Sequence, residues 1–458
     1  MTVTPKSAHS ETDEFWDRKR ETRDPREREA LVLERLQRQL HRAYAGVPFY
    51  RRRYDVAGFH PSQVKTLADF TARVPVVTKK ELVADQQEHP PFGSYAAVPR
   101  EALMRVHGSS GTSGVPTLYG ISAADWLRSE EVCRMALWSA GVRPRHLVQI
   151  SFPFGLFIGG WGLLQACECL GAAAFPVGSL MPTDQQIDHI VKLGVDVLVA
   201  TPSYAMHLGR RAVERGIDLG AAGLRTVIVA GEPGGSISEI RKSMTTSLGG
   251  AFVVDLGAGA SSEMHPFYAN VGCTHAEGGV HLIQDENYTE VVDRDDPHIS
   301  VPVGERGGLV ATHLWRESQP MIRFWLGDES YLSDELCACG RTFPRLPEGV
   351  IGRLDDMLLI RGANVYPSAI EAIVNSHPDT GSEFRIIVDR ASELDELTVE
   401  VEADVDPAAQ EARAIAATLA ADLKARLMVR ARVEVVAPGT FEPQVFKARR
   451  VVDRRGRT

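Results

Sequence analysis

Apolar positions follow two rhythms along this chain. Between residues 12 and 43 dense mixed charge surrounds Leu31, Leu33, Leu36 and Leu40, which recur at mostly helical intervals. The spacing predicts a surface helix whose charge serves solvation. From about residue 100 to 260, apolar runs at 147–151, 195–199 and 224–229 alternate with helix-like stretches, the pattern of an α/β unit. Beyond residue 352 the rhythm changes to strand 357–360, helix 367–376, strand 384–389, strand 397–403, helix 407–427 and strand 433–436. That order predicts a small α+β domain. The expected fold is therefore α/β, with a large multi-layer N-terminal domain over 1–351, its first 43 residues a charged helical lead-in, and a smaller α+β C-terminal domain over 352–458. The hinge is expected at 352–356, and no internal repeat or low-complexity linker interrupts the chain.

Composition narrows the function classes. The 458 residues, 44% hydrophobic and 24% charged, are those of an ordinary globular protein large enough for more than one core. A formal net charge of -9 supplies no basic field for wrapping nucleic acid, so no nucleic-acid partner is expected and any phosphate must be bound locally. The first residues lack the apolar stretch of a signal peptide, and no membrane-length apolar run follows. A cytoplasmic protein without a membrane partner is expected, with the oligomeric state open as far as a homodimer. Six cysteines are too few for a disulfide scaffold, and the pair Cys337 and Cys339 looks more like a metal site. Cys167 and Cys169 read as core thiols.

One segment carries candidate chemistry by itself. Ser109-Ser110-Gly111-Thr112-Ser113-Gly114-Val115-Pro116-Thr117 combines glycines with hydroxyl side chains, so its backbone can approach a polyphosphate and donate N–H and O–H bonds. It lacks the Gly-Lys-Ser/Thr ending of a Walker A loop and the glycine spacing of a dinucleotide loop. Read alone, it is equally a Ser/Gly surface turn.

With Arg105-Val106-His107 before it, this loop resembles the phosphate loop of acyl-adenylate-forming enzymes, specifically the phenylacetate-CoA ligase family. Residues 47–51, 154–160, 201–204 and 323–328 look like further segments of that family, as does the long block from Gly352 to Pro367. The resemblance covers roughly residue 40 to the C-terminus.

What the resemblance implies is an ATP-dependent ligase that activates a small carboxylic acid as its acyl-AMP and passes the acyl group to CoA. Thr112 and the neighbouring Ser109, Ser110, Gly111, Ser113 and Gly114 would bind phosphates. Ser262 would join the ATP site, Glu263 would hold magnesium, Asp328 would bind the ribose hydroxyls and Arg353 would support the nucleotide. Lys447 would reach the carboxylate and α-phosphate, where a fixed ammonium offsets the charge that develops in the transition state. Asp355 matches the hinge, and Gly362 would admit the thiol arm of CoA. A rival reading keeps the first half-reaction but uses an amine, a hydroxyl or a carrier-protein thiol as acceptor. A third, non-enzymatic reading is a degenerate nucleotide-binding regulator, because the aromatic residue that usually stacks on adenine is missing from Gly259-Ala260-Ser261-Ser262-Glu263.

Two sites complete the expectation. Phe152, Phe154, Phe157, Trp161 and Tyr204 form an aromatic group able to enclose a planar ring, which points to an aryl acid, although the tyrosines typical of a phenylacetate pocket are replaced by Phe152 and Phe154. Cys273, Cys337 and Cys339 with His281 would make a structural Cys₃His zinc site, His275 being the alternative fourth ligand.

Overall fold

The structure, a computed structural model, describes residues 9–109, 117–257, 261–265, 270–360, 363–381, 383–390, 395–427, 429–441 and 450–455. Ser110, Gly111, Thr112, Ser113, Gly114, Gly362 and Lys447 lie outside the described residues.

The charged lead-in folds as a short helix, Arg18–Glu21, and a long one, Pro25–Gly46. Asp24 caps the long helix by accepting from Arg26 N (2.9 Å) and Glu27 N (3.3 Å), and Pro25 occupies the first turn, where no N–H is missed. The expectation of a surface helix needs correction. Val32, Leu36, Leu40 and Ala43 recur on one face and are buried with Tyr50, Phe70, Leu309 and Ile322. Even Arg28 is buried, donating to the Thr342 carbonyl at 2.7 Å. Only the opposite face meets water.

The expected α/β unit is a five-stranded parallel sheet in the spatial order Ala173–Phe175, Leu147–Ile150, Val197–Ala200, Thr226–Val229 and Phe252–Asp255. Its central strands are fully buried runs of Val, Ile, Leu and Ala with a single Thr, as expected where helices cover both faces. Glu130–Ser139 and Gly159–Leu170 pack on one face, Thr183–Leu193, Pro202–Glu214 and Ser238–Ser247 on the other. The carboxyl ends of the strands open towards Phe152, Thr201, Gly231 and Leu256, the side on which such sheets bind ligands.

Beside it lies an antiparallel sheet ordered Asn287–Val292, Gly307–His313, Phe324–Ser330 and Gly352–Arg353. Gly352–Arg353 therefore still pairs with the large domain, at Asp328 and Glu329. From Leu358 onward the chain builds its own core around Ile370, Ile386, Val399 and Leu419. The helix at Pro367–Ser376 and the strand at Phe384–Asp389 lie where the apolar rhythm puts them. Two strands were not expected: Ala363–Val365, which pairs back on Leu358–Ile360, and Val451–Asp453, which adds a parallel edge to Phe384–Asp389. No helix among the described residues is long and apolar enough to cross a membrane.

A buried ion pair within the antiparallel sheet also holds the segment after the lead-in. Arg323, a non-glycine residue at φ 47, donates through Nε to Glu290 Oε2 at 3.1 Å and through its other nitrogens to the carbonyls of Thr71, Val74 and Pro297. Both side chains are almost fully buried, so removing one strands the other's charge or its polar partners. Arg323→Met is expected to lower stability by about 3–5 kcal/mol, and Arg323→Met with Glu290→Leu to recover part of that loss. Urea unfolding followed by tryptophan fluorescence measures both.

Candidate active site

Strands Leu103–Gly108 and Leu118–Ser122 form an antiparallel hairpin whose connection is the hydroxyl-rich loop. The described ends of that loop are clamped together. Ser109 N donates to the Thr117 carbonyl at 3.0 Å, Thr117 N donates to Ser109 Oγ at 3.2 Å, and Ser109 is buried. Gly108 N donates to the Leu156 carbonyl at 3.1 Å, which fixes the hairpin against the stretch beyond strand Leu147–Ile150 of the parallel sheet.

Glu263 lies in a single 3₁₀ turn, Ser262–Met264, with Ser262 and Glu263 both buried. What holds this turn is Arg316, fully buried itself. It donates through one nitrogen to the carbonyls of Glu263 (2.8 Å) and His265 (2.7 Å), and through another to the Gly120 carbonyl of the hairpin (3.3 Å). The Glu263 carboxylate is thereby aimed at Lys79, whose Nζ lies 3.3 Å from Oε1. Lys79 begins helix Lys79–Glu88, which is closed by a Thr78/Glu81 capping box. A carboxylate suited to a hard cation, an ammonium and a helix N-terminus thus face one region beside the hydroxyl-rich hairpin.

A second group forms around Asp328 on strand Phe324–Ser330. Arg353 donates to Asp328 Oδ1 and to the Leu326 carbonyl, both at 2.9 Å, and lies 3.5 Å from the exposed Asp355 carboxylate. Gly327 at φ 73 makes the turn in the strand that a side chain would resist. His313 braces the Glu263 turn from behind. Its Nδ1 accepts from Met321 N, leaving Nε2–H to donate to the Met264 carbonyl at 3.0 Å, next to Glu263.

An apolar cavity of about 30 Å³ opens at the carboxyl ends of the parallel strands, walled by Phe152, Phe157, Leu163, Ile228, Leu256 and, as the one polar side chain among the described residues, His265. Burial pushes the His265 imidazole down to about 4, helped by His107 and Arg316, so the ring is neutral near pH 7. Of the five aromatic residues expected to form an acyl pocket, only Phe152 and Phe157 line this cavity. Tyr204 is buried on the other face of the sheet, its hydroxyl 3.3 Å from Thr183 Oγ1. Trp161 donates to the Gly155 carbonyl and stands edge-on to Phe154 at 5.3 Å, beside Trp126 and Arg105.

Farther off, Cys273, His281, Cys337 and Cys339 bring their four ligand atoms within 4.8 Å of one another, all buried. Cys273 Sγ lies 3.7 Å from Cys337 Sγ, and Cys339 Sγ lies 3.5 Å from His281 Nε2. His275 is turned away towards Glu14, at 3.2 Å.

Lys79, Arg316 and His265 were missed in the sequence. The capping box before Lys79 was legible, but nothing local shows that residue 79 meets residue 263 across the fold.

A large α/β domain with its ligand crevice at the strand ends, continued by a small α+β domain, is the architecture of an acyl-adenylate-forming ligase. The C-terminal part, residues 362–455, matches the family model described as the AMP-binding enzyme C-terminal domain. The phenylacetate-coenzyme A ligase of Thermus thermophilus is 35% identical over 455 residues, 94% of this chain and 98% of that protein. Among solved structures, 2-hydroxyisobutyryl-CoA ligase in the postadenylation state with 2-HIB-AMP superposes with a TM-score of 0.91 at 39% identity, covering 98% of this chain and 94% of that one. The same ligase with 2-HIB-AMP and CoA in the thioesterification state gives 0.73 at 40% identity, covering 99% and 96%. The chain belongs to the phenylacetate-coenzyme A ligase family, and its two domains sit closer to the first of those arrangements.

The Lys79–Glu263 pair is partly exposed on the lysine side, so it adds little to stability. Lys79→Met is expected to leave the unfolding free energy within about 0.5 kcal/mol of wild type. It should lower kcat/KM for ATP about ten- to hundredfold, the worth of one charged hydrogen bond. Urea unfolding alongside ATP titration of the acid-dependent reaction separates the two effects.

Proposed function

We propose that this chain is an AMP-forming carboxylate–CoA ligase. The observation that carries the reading is the superposition, over nearly the whole chain, on a ligase holding its acyl-AMP, with Glu263 buried in the turn beyond strand Phe252–Asp255 and Asp328 paired with Arg353. In the first step a carboxylate oxygen of the acid attacks the α-phosphorus of ATP. The bond to the β-phosphate breaks, and acyl-AMP and pyrophosphate result. In the second step the CoA sulfur, its proton lost, attacks the acyl carbonyl. AMP leaves and the thioester remains.

Each residue then has a task. The loop Ser109 to Gly114, with Thr112 at its centre, cradles the phosphates, and its clamped ends at Ser109 and Thr117 limit the ordering that binding has to supply. Glu263 and Ser262 fit a magnesium site on a hard carboxylate oxygen, and magnesium there would neutralise triphosphate charge. Lys79 adds a fixed cation beside it. Asp328, oriented by Arg353, accepts from the ribose hydroxyls. Asp355 serves as the hinge, Lys447 as the cation at the carboxylate–phosphate junction, and Gly362 as the opening for the thiol. The acid itself has two supports that point apart: the aromatic walls suggest an aryl acid, whereas the similar solved structure holds an aliphatic hydroxy acid as its adenylate.

The four-residue cluster fits a structural zinc site, with His281 and not His275 as the nitrogen ligand. Tetrahedral zinc places thiolate sulfurs roughly 3.8 Å apart and sulfur and imidazole nitrogen roughly 3.6 Å apart. The 3.7 Å and 3.5 Å separations match. Four protein ligands leave no open position, so the ion would bind the loops together and take no part in the chemistry.

Acid-dependent ATP–pyrophosphate exchange, and thioester formation on adding CoA, test the main reading; exchange without thioester, but with acyl transfer to an amine or carrier protein, would replace CoA as the acceptor. Lys447→Ala is expected to cut exchange by about 10²–10³-fold, the usual loss of one group that stabilises transition-state charge. It should spare thioester formation from preformed acyl-AMP. Elemental analysis of the purified protein is expected to find one zinc per chain. Cys337→Ser should lose the metal and lower the melting temperature, and His275→Ala should do neither.

A further inference from the structure

We propose that the acyl site selects short, branched aliphatic monocarboxylic acids and turns away aryl acids, with the paired rings of Phe152 and Phe157 as the wall that sets the limit. The inference rests on the adenylation reading and deepens it by naming the acid.

Size decides the matter first. The cavity at the strand ends measures about 30 Å³. An apolar protein cavity that takes up benzene measures roughly 150 Å³ on a comparable scale, and a single water needs roughly 10–15 Å³. The space between Phe152 and Phe157 therefore suits a few methyl groups and lacks the room for a phenyl ring. The aromatic residues that look in sequence like a ring-binding pocket act as its filling.

The wall is built in, not incidental. Phe152 is 2% exposed and stacks with Phe157 at a centroid distance of 6.3 Å and an interplanar angle of 26°. Phe157 is seated on Gly159: a Cβ at that glycine would fall 2.3 Å from its Cε1, so a side chain there would push the ring aside. Phe152 in turn lies against Gly231, whose imagined Cβ would be 3.4 Å from Cε1. Gly231 has φ +92, where a side chain is disfavoured on backbone grounds as well. Gly159 thus lets the Phe157 ring move inward and shorten the pocket.

Charge narrows the class further. Among the described residues that line the cavity, none is a lysine or arginine. A second carboxylate would be desolvated without a counter-charge, which excludes dicarboxylic acids. A hydroxyl group can hydrogen-bond the His265 imidazole, so small hydroxy acids remain within the class.

The test is ATP–pyrophosphate exchange by the full-length protein with propionate, isobutyrate, 2-hydroxyisobutyrate, succinate, benzoate and phenylacetate. Wild type is expected to use isobutyrate or its hydroxy analogue with a kcat/KM at least about a hundredfold above that for benzoate, within the range that a methylene or two sets in an apolar pocket. Succinate should give no exchange. Phe157→Ala is expected to raise benzoate use at least tenfold and to lower isobutyrate use, with Phe152→Leu as a milder second variant should the first fold poorly. Wild type that prefers benzoate or phenylacetate overturns the inference while leaving the ligase reading intact, as does a Phe157→Ala protein that folds and keeps the wild-type ranking. Exchange with no acid at all overturns the ligase reading, and this inference with it.

Discussion

The candidate site depends on one buried guanidinium. Arg316 collects the carbonyls of Glu263, His265 and Gly120, and so joins the carboxylate turn, the cavity wall and the phosphate hairpin at a single point. Taking an arginine fully out of water costs several kcal/mol, which three charged hydrogen bonds can offset only if all are made. Asp125 supplies the nearest opposite charge, and its carboxylate is itself held by the backbone N–H groups of Glu317 and Ser318. The arrangement is therefore all or nothing: moving the turn, the hairpin or the segment 316–318 leaves a buried charge or carbonyl unmatched. Such a constraint is what a site needs if a carboxylate must sit where a metal-bound triphosphate will arrive.

Most of the fold was legible because most of its signals are local. The helix at Pro367–Ser376 announces itself by a proline at its start and an apolar stripe, and the parallel strands by short, continuous apolar runs. The lead-in helix was misjudged because charge is counted by residue while burial is decided by face: Val32, Leu36, Leu40 and Ala43 are a minority of the sequence but the whole of one side. The strand Val451–Asp453 hid inside a basic run, since an edge strand needs few apolar residues when only one flank is paired. At the site, family resemblance named Glu263, Asp328 and Arg353, but it could not supply Lys79 or Arg316, whose meaning exists only across long separations in sequence.

The aromatic residues show what composition leaves open. Phe152, Phe154, Phe157, Trp161 and Tyr204 share a chemistry but are placed by three different packing environments, and the sheet itself separates Tyr204 from the others. A ring near a ligand site can frame a ring-shaped space or fill it, and the sequence is the same in both cases. On the proposed acid class, the glycine next to Phe157 decides between the two, because it sets how far that ring can advance.

The contact between the domains bears on the proposed hinge at Asp355. Arg210 on helix Pro202–Glu214 donates to Asn375 Oδ1 at 2.8 Å, and Glu371, on the same small-domain helix as Asn375, is pushed up to about 7 by burial, with Glu232 and Glu383 raising it against the lowering effect of Arg450. Beside these polar groups Ala372 packs into the large-domain core, and when the domains part the polar groups regain water, so separation returns hydration in place of part of the contacts it breaks. A seam of leucines would have fixed one arrangement at a cost proportional to its area. The strand Gly352–Arg353 is paired with Asp328 and Glu329, so a hinge at Asp355, as proposed, would confine the moving part to the chain beyond Arg353. The nucleotide group around Asp328 can then remain assembled while the small domain changes the face it presents, and two half-reactions can share one bound adenylate.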